Sequence, residues 1–322
     1  FPRLWSERGL QELRLSGLSR KASEKIARAV LGDSQQVEAV LGLLERASGN
    51  AFFLEEMLRA AAAGQLDQAP ATVLAMVQSR IERLEPQARR VLRAACVFGA
   101  MFWRGGVARL LGDQQRLPEV SSWLEVLSER ELIARRPDTR FPGEPEYVFV
   151  HALVRDAAYA MLTESDRTLG HRLAARYLEE AGERDAVVLA EHWERSGELQ
   201  RAVAWYRRAT WQALEGNDLD AVLRHAERAV ACGAAGQELG ELRAAQAEAS
   251  QWRGAYREAI GLARTAMALL PARSERWFQV AGALAIAAGR ILEGNQLELL
   301  ANELLTLAQQ GETSDDFLSA AV

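Results

Sequence analysis

The chain has 322 residues, 49% of them hydrophobic and 26% charged, with a net charge of −5. That is enough material for two or three domains and an ordinary charge balance for a soluble protein. No uncharged apolar run reaches 18 residues, which excludes a membrane-spanning helix, and Arg3, Glu7 and Arg8 stand where a signal peptide would be apolar. Cys96 and Cys232 lie far apart in Ala-rich helical patterns, with neither metal spacing nor a disulfide framework, so a reducing cytoplasm is the expected location.

In chain order, the alternation in residues 11–15 (QELRL) predicts a short strand. Ser19 is positioned to cap a helix over 20–31, Gly32 ends it, and residues 35–46 form the next. Ser48, Gly49 and Asn50 then predict a tight turn into a helix that begins FFLEE. The side-chain oxygen of Asn50 can accept from first-turn N–H groups, and Glu55 and Glu56 suit the positive end of the helix dipole. Apolar spacing predicts a helix over 72–84. Pro86 opens another whose body runs over 89–98, Gly105 and Gly106 punctuate, and Pro118 starts a helix reaching about residue 130. Residues 132–136 and 147–150 are β-prone. Pro137, Pro142 and Pro145 between them forbid helix and suit a wing-like hairpin. Three helices followed by a hairpin predict a winged helix.

Helices are then expected over 151–163 and 167–181, and only helices beyond Asp185, with turns near Gly197, Gly216, Gly233–Gly236, Gly254 and Gly294. The series Gly254, Ala259, Ala263, Ala266, Pro271 matches the second half of a tetratricopeptide repeat, and Gly197, Ala202, Tyr206, Ala209 repeats its small–large–small spacing. Gly197 and Gly216 stand only half a repeat apart, so one helix is expected to serve two neighbours. The competing reading is an irregular Ala-rich helical stack.

Two stretches carry a family resemblance. GNAFFLEE, residues 49–56, resembles the GNPFFLEE lid segment of bacterial STAND-type signalling ATPases, relatives of the AAA+ and NB-ARC families, with Ala51 where the family usually has Pro. YVFVHALVRDAAYAML, residues 147–162, is similar to the segment closing the winged helix in those families, where a Met-His-Asp core places a His on the β-phosphate of ADP. By position that His is His151, preceded here by Val150 and followed by Ala152. The resemblance implies that Gly49, Asn50 and Ala51 lie at the adenine and His151 at the phosphate. Read without it, residues 45–61 are a helix–turn–helix with Phe52 and Phe53 as core, and His151 caps a helix or satisfies a core hydrogen bond.

Other chemistry is sparse. Neither Lys21 nor Lys25 follows a glycine, so there is no Walker A motif, and no kinase signature is present; no catalytic residue is expected in this stretch. His171 reads as structural, and His192 and His225 show no ligand spacing. Glu191–His192 lacks the second His of a zinc helix, so no metal is expected. The adjacent pairs Glu55–Glu56 and Glu179–Glu180 read as solvated faces. The helix before the hairpin carries Glu119, Glu125 and Glu129, unfavourable against DNA phosphates despite Arg135, Arg136 and Arg140 on the hairpin.

The expected architecture is mainly α: residues 1–18 as the last strand of a P-loop core, a helical lid over 19–70, a winged helix over 71–165 and a tetratricopeptide-like α-solenoid over 166–322. The chain reads as a piece of a longer protein. The resemblance implies the regulatory and sensor portion of a multidomain signal-transduction ATPase, with ADP or ATP bound only in the full-length protein and none by this stretch alone. Its partners would be the rest of the P-loop core, an output domain (kinase, cyclase or DNA-binding) and a protein or peptide on the helical array. The alternatives are a protein-interaction scaffold without nucleotide and, third, a DNA-binding regulator.

Overall fold

The computed structural model describes residues 17–32, 36–46, 51–64, 73–112, 117–292 and 294–309. The expected strand over 11–15, and Gly49 and Asn50, lie outside the described residues. The fold is mainly α, with one small three-stranded sheet and a long array of stacked helices. The chain divides into two compact units. Unit 1 takes residues 1–96, 122–135 and 147–161, and unit 2 takes 97–121, 136–146 and 162–322.

Unit 1 opens with α1 (Arg20–Leu31), α2 (Gln36–Arg46) and α3 (Ala51–Ala62), close to the predicted bounds. The Ser19 hydroxyl accepts from the Ala22 N–H at 3.3 Å, the expected cap, and Gly32 ends α1 at φ 67°. The three helices enclose a core of Ala27, Val37, Val40, Leu41, Phe53, Leu54, Met57 and Leu58. Burying each of the larger of these side chains stabilises by about 1.5–3 kcal/mol. Next come α4 (Val73–Glu82) and α5 (Pro86–Ala95), with Pro86 in the first turn; both pack on α8 (Ala152–Ala160). The hairpin is present. Strands β2 (Ile133–Arg135) and β3 (Glu146–Phe149) pair antiparallel, with Ile133 opposite Phe149 and Arg135 opposite Tyr147.

Strand β1 (Met101–Trp103) has no counterpart among the predicted elements; it completes the sheet in the order β1–β3–β2. Gly105 and Gly106 do not punctuate. They lie inside the buried helix α6 (Arg104–Leu110), in unit 2. A β-carbon on Gly105 would come within 2.8 Å of the Glu144 carboxylate, and one on Gly106 within 2.7 Å of the Phe98 ring. These glycines are there for close packing. Helix α7 (Leu117–Glu129) holds Pro118 in its first turn.

The rest of unit 2 is α9 (Glu164–Ala181), α10 (Ala186–Arg195), α11 (Leu199–Glu215), α12 (Leu219–Ala231), α13 (Gly236–Trp252), α14 (Tyr256–Leu269), α15 (Glu275–Arg290) and α16 (Gly294–Gln309). Each packs on its successor, and α13 also touches α11 and α15, so helices serve neighbours on two sides as stacked repeats require. The repeat register holds: Ala202, Tyr206, Ala209, Ala259, Ala263 and Ala266 are all buried. Gly197 and Gly254 take φ 77° and 78° and close the same turn, each followed by a residue whose N–H donates back to the carbonyl five positions earlier. The expected turn near Gly216 is present but is built differently. Gly216 is helical, and Asn217 adopts the left-handed conformation at φ 55°, which Asn tolerates better than most residues.

Candidate functional site

A cleft of about 320 Å³ lies within unit 1, lined by Glu55, Arg59, Arg80, Ser128, Glu131, Ile133, Ala134, Val150 and His151. Helix α3 contributes Glu55 and Arg59, four residues apart and therefore on one face, and α4 contributes Arg80. The end of α7 and the turn into β2 supply Ser128 and Glu131. His151 follows β3 and is the N-cap residue of α8, rather than its first helical residue. The hairpin sets its position: the Val150 N–H donates to the Leu132 carbonyl at 3.1 Å, and the Val154 N–H donates to the His151 carbonyl at 3.0 Å.

The cleft combines charged side chains with the apolar Ile133, Ala134 and Val150. Arg59 donates to Glu55 at 2.9 Å and to Glu131. These two partners hold its guanidinium above the usual arginine range, the Glu55 hydrogen bond first. Arg80 donates to Glu56 and, at 2.5 Å, to the Arg130 carbonyl. Here the expectation of solvated glutamates fails in half. Glu55 is exposed, but Glu56 points inward and is 7% exposed, because the arginine one helix away offers a partner that compensates its burial. The Ser128 hydroxyl donates to the Leu124 carbonyl at 2.8 Å.

Ala51 lies elsewhere, on an adjoining apolar cavity of about 380 Å³ with Leu18, Ile26, Val30, Leu54, Leu58 and Ala62. Glu55 and Arg59 line both cavities, so the two ends of the expected nucleotide site, Ala51 and His151, are bridged by one face of α3. Sequence reading missed Arg59, Arg80 and Glu131. Only the i, i+4 spacing of Glu55 and Arg59 gave a local signal; the other two are brought in by the fold.

Unit 2 carries different chemistry. His171 and His192, unrelated by any spacing in the sequence, are buried and face each other with Nδ1 atoms 3.0 Å apart. One must donate and the other accept, so at least the accepting ring is neutral, and burial favours the neutral form of both. Burial, with Arg195 and Arg167 adding positive charge, lowers His171 to about 4; burial, then His171 and Arg195, lowers His192 to about 3. Nor is Glu179 merely solvated: it accepts from the indole N–H groups of Trp193 and Trp205, each at 2.8 Å, and ties α9 to α10 and α11. A groove of about 590 Å³ runs between α13 and α15, with Glu248, Trp252, Arg276 and Ile286 on its walls; Trp252 is 73% exposed and is no core residue. Trp211, by contrast, packs under the Arg276 guanidinium, 4.6 Å away.

Among the described residues, no group of three or more His, Cys, Asp or Glu side chains could hold a metal ion, and no helix is long and apolar enough to cross a membrane.

No family model matches the chain, and no curated protein matches it. Among solved structures, it is similar to the crystal structure of a Signal Transduction ATPase with Numerous Domains (STAND) protein with a tetratricopeptide repeat sensor from Pyrococcus horikoshii. That similarity has a TM-score of 0.48 at 15% sequence identity, over 97% of this chain and 48% of the other. The chain thus spans about half the length of that protein.

Proposed function

We propose that the chain is the regulatory and sensor portion of a multidomain signal-transduction ATPase. In this reading a bound adenine nucleotide sets the relation between helix α3 and His151, and the helical array takes a protein or peptide. The observation that carries the reading is the shared cleft: Glu55 and Arg59 of the lid helix and His151 after the hairpin line one cavity. At about 320 Å³ it is at the lower end for a small-molecule site, a size for the phosphate end of a nucleotide, with the rest held by other parts of the full-length protein. When bound, ADP supplies the charged group that joins these elements. The chain's own residues that would hold it are His151, whose ring can donate, and Arg59 and Arg80, which would offer charge; Ala51, at the start of α3, lines the adjoining cavity. The test is titration of the full-length protein with ADP and ATP. His151→Ala should weaken ADP by about 1.5–3 kcal/mol, as loss of a hydrogen bond to a charged group does, and spare ATP by comparison. Equal loss for both nucleotides, or for neither, removes His151 from the switch.

A scaffold without nucleotide is the second reading. It is favoured by one observation: both arginines of the cleft already have glutamate partners. It foresees no nucleotide effect on partner binding at the array.

A further inference from the structure

The two arginines of the cleft are held in different ways. Arg80 is 22% exposed and its partner Glu56 only 7%, with the Arg130 carbonyl as a further acceptor. Breaking such a pair leaves a buried charge without compensation, so it stays closed. Arg59 is 47% exposed and Glu131 62%. Exposed pairs of this kind contribute about 0–1 kcal/mol and exchange readily.

The backbone supports the same distinction. Glu131 has φ 55°, the left-handed region that non-glycine residues enter at a cost. The turn is held by its own backbone: the Glu131 N–H donates to the Ser128 carbonyl at 2.9 Å and the Leu132 N–H to the Leu127 carbonyl at 3.1 Å. Glu131's side chain is therefore not needed to keep the turn. What it does is place one carboxylate on Arg59, joining the turn to helix α3.

Charge decides what an incoming anion must do. Arg59 and Arg80 face Glu55, Glu56 and Glu131, two positive charges against three negative ones. Adding a phosphate dianion to that set without a departure would be repulsive. Exchanging it for Glu131 gives Arg59 a doubly charged, multidentate partner in place of a carboxylate.

We propose that Glu131 is an internal stand-in anion: it occupies Arg59 at the edge of the His151 cleft, and a phosphate-bearing ligand displaces it and releases the turn between α7 and β2 from helix α3. This rests on the reading of the cleft as a phosphate site. It adds the device that couples ligand entry to movement, because the Arg59–Glu131 ion pair that the ligand breaks ties the lid helix to the hairpin. Glu55, on the same helix as Arg59, keeps the guanidinium oriented in both states.

The experiment is calorimetric titration of the full-length protein with pyrophosphate at low ionic strength. Glu131→Gln, which removes the competing charge and keeps the shape, should bind up to about 5-fold tighter than the wild type, the factor that a pair of about 1 kcal/mol corresponds to. Glu131→Asp should fall back toward the wild type. Arg59→Gln should bind at least about 10-fold more weakly, as removal of a charge-assisted hydrogen bond does. Circular dichroism and melting of Glu131→Gln matching the wild type would show that the fold is unchanged. Glu131→Gln binding no tighter than wild type, Arg59→Gln binding equally well, or pyrophosphate binding to none of the proteins each overturns the proposal. The nucleotide reading stands or falls separately. An ADP–ATP difference at His151 with no pyrophosphate effect at Glu131 removes only the stand-in, and the converse leaves the displaceable pair without the switch.

Discussion

The His151 cleft of unit 1 and the His171–His192 pair of unit 2 manage polar groups in opposite ways. In the cleft of unit 1, arginines are paired with glutamates: Arg59 with Glu55 and Glu131, Arg80 with Glu56. In unit 2, the inward-facing histidines are neutral and bonded to each other, among alanines that let helices approach. The physical difference is water. Arg59 and Glu131 are open to water, whereas the two histidines are packed away from it, which favours their uncharged forms. A matched charge in an accessible cleft can exchange partners; a neutral pair in a packed stack cannot do so without unpacking. The first arrangement suits a place that responds, the second a place that holds shape.

Three measurements would break or sharpen this contrast. Trp193 is wholly buried, and its indole N–H donates to Glu179. Trp193→Ala should destabilise unit 2 by about 3–5 kcal/mol in denaturant unfolding, the range for a large aromatic in a rigid core. A loss below about 1 kcal/mol would mean that the stack relaxes and is not the rigid partner of the comparison. Glu56→Ala should cost about 1.5–3 kcal/mol, because Arg80 keeps its charge and loses its carboxylate. A neutral result there would put the Arg80 pair in the same exchangeable class as the Arg59 pair. The third effect is in pH, and it accrues gradually. Both buried histidines have folded values below the usual 6.5, so between 6.5 and those values the unfolded chain binds more protons. The stability they contribute is present above about pH 6.5 and is lost as pH falls toward about 4. The slope should be about 1.4 kcal/mol per pH unit for each of the two protons that only the unfolded chain binds, up to about 2.7 kcal/mol per pH unit together. A flat stability profile between pH 6.5 and 4.5 would show that the pair is not a neutral buried one.

Much of the architecture could be read without coordinates, for local reasons. Ser19 and Gly32 bracket α1, Pro86 marks the start of α5, and the prolines after Arg136 keep the hairpin connection out of helix. Helix α9 starts three residues before its predicted bound, at a capping box of Thr163 and Asp166 that is visible in the sequence. The misses share a cause. Gly105 and Gly106 look like breakers until Glu144 and Phe98, outside their own helix, are seen to need their space. His171 and His192 stand 21 residues apart, with no spacing rule to join them.

The residue pattern alone carried most helix positions, the β2–β3 hairpin, the repeat register of small residues at Ala202, Ala259 and Ala266, and the prominence of His151 at the head of α8, but neither β1 nor the start of α6. These follow from interactions within a turn or two of chain, which propensity, capping and periodicity encode. Only the tertiary structure decided that Arg59, Arg80 and Glu131 gather around His151, that Glu56 is buried while Glu55 is not, and that two histidines share one hydrogen bond. Charge pairing depends on distances between side chains from separate elements, and a sequence states those distances nowhere until its helices have packed.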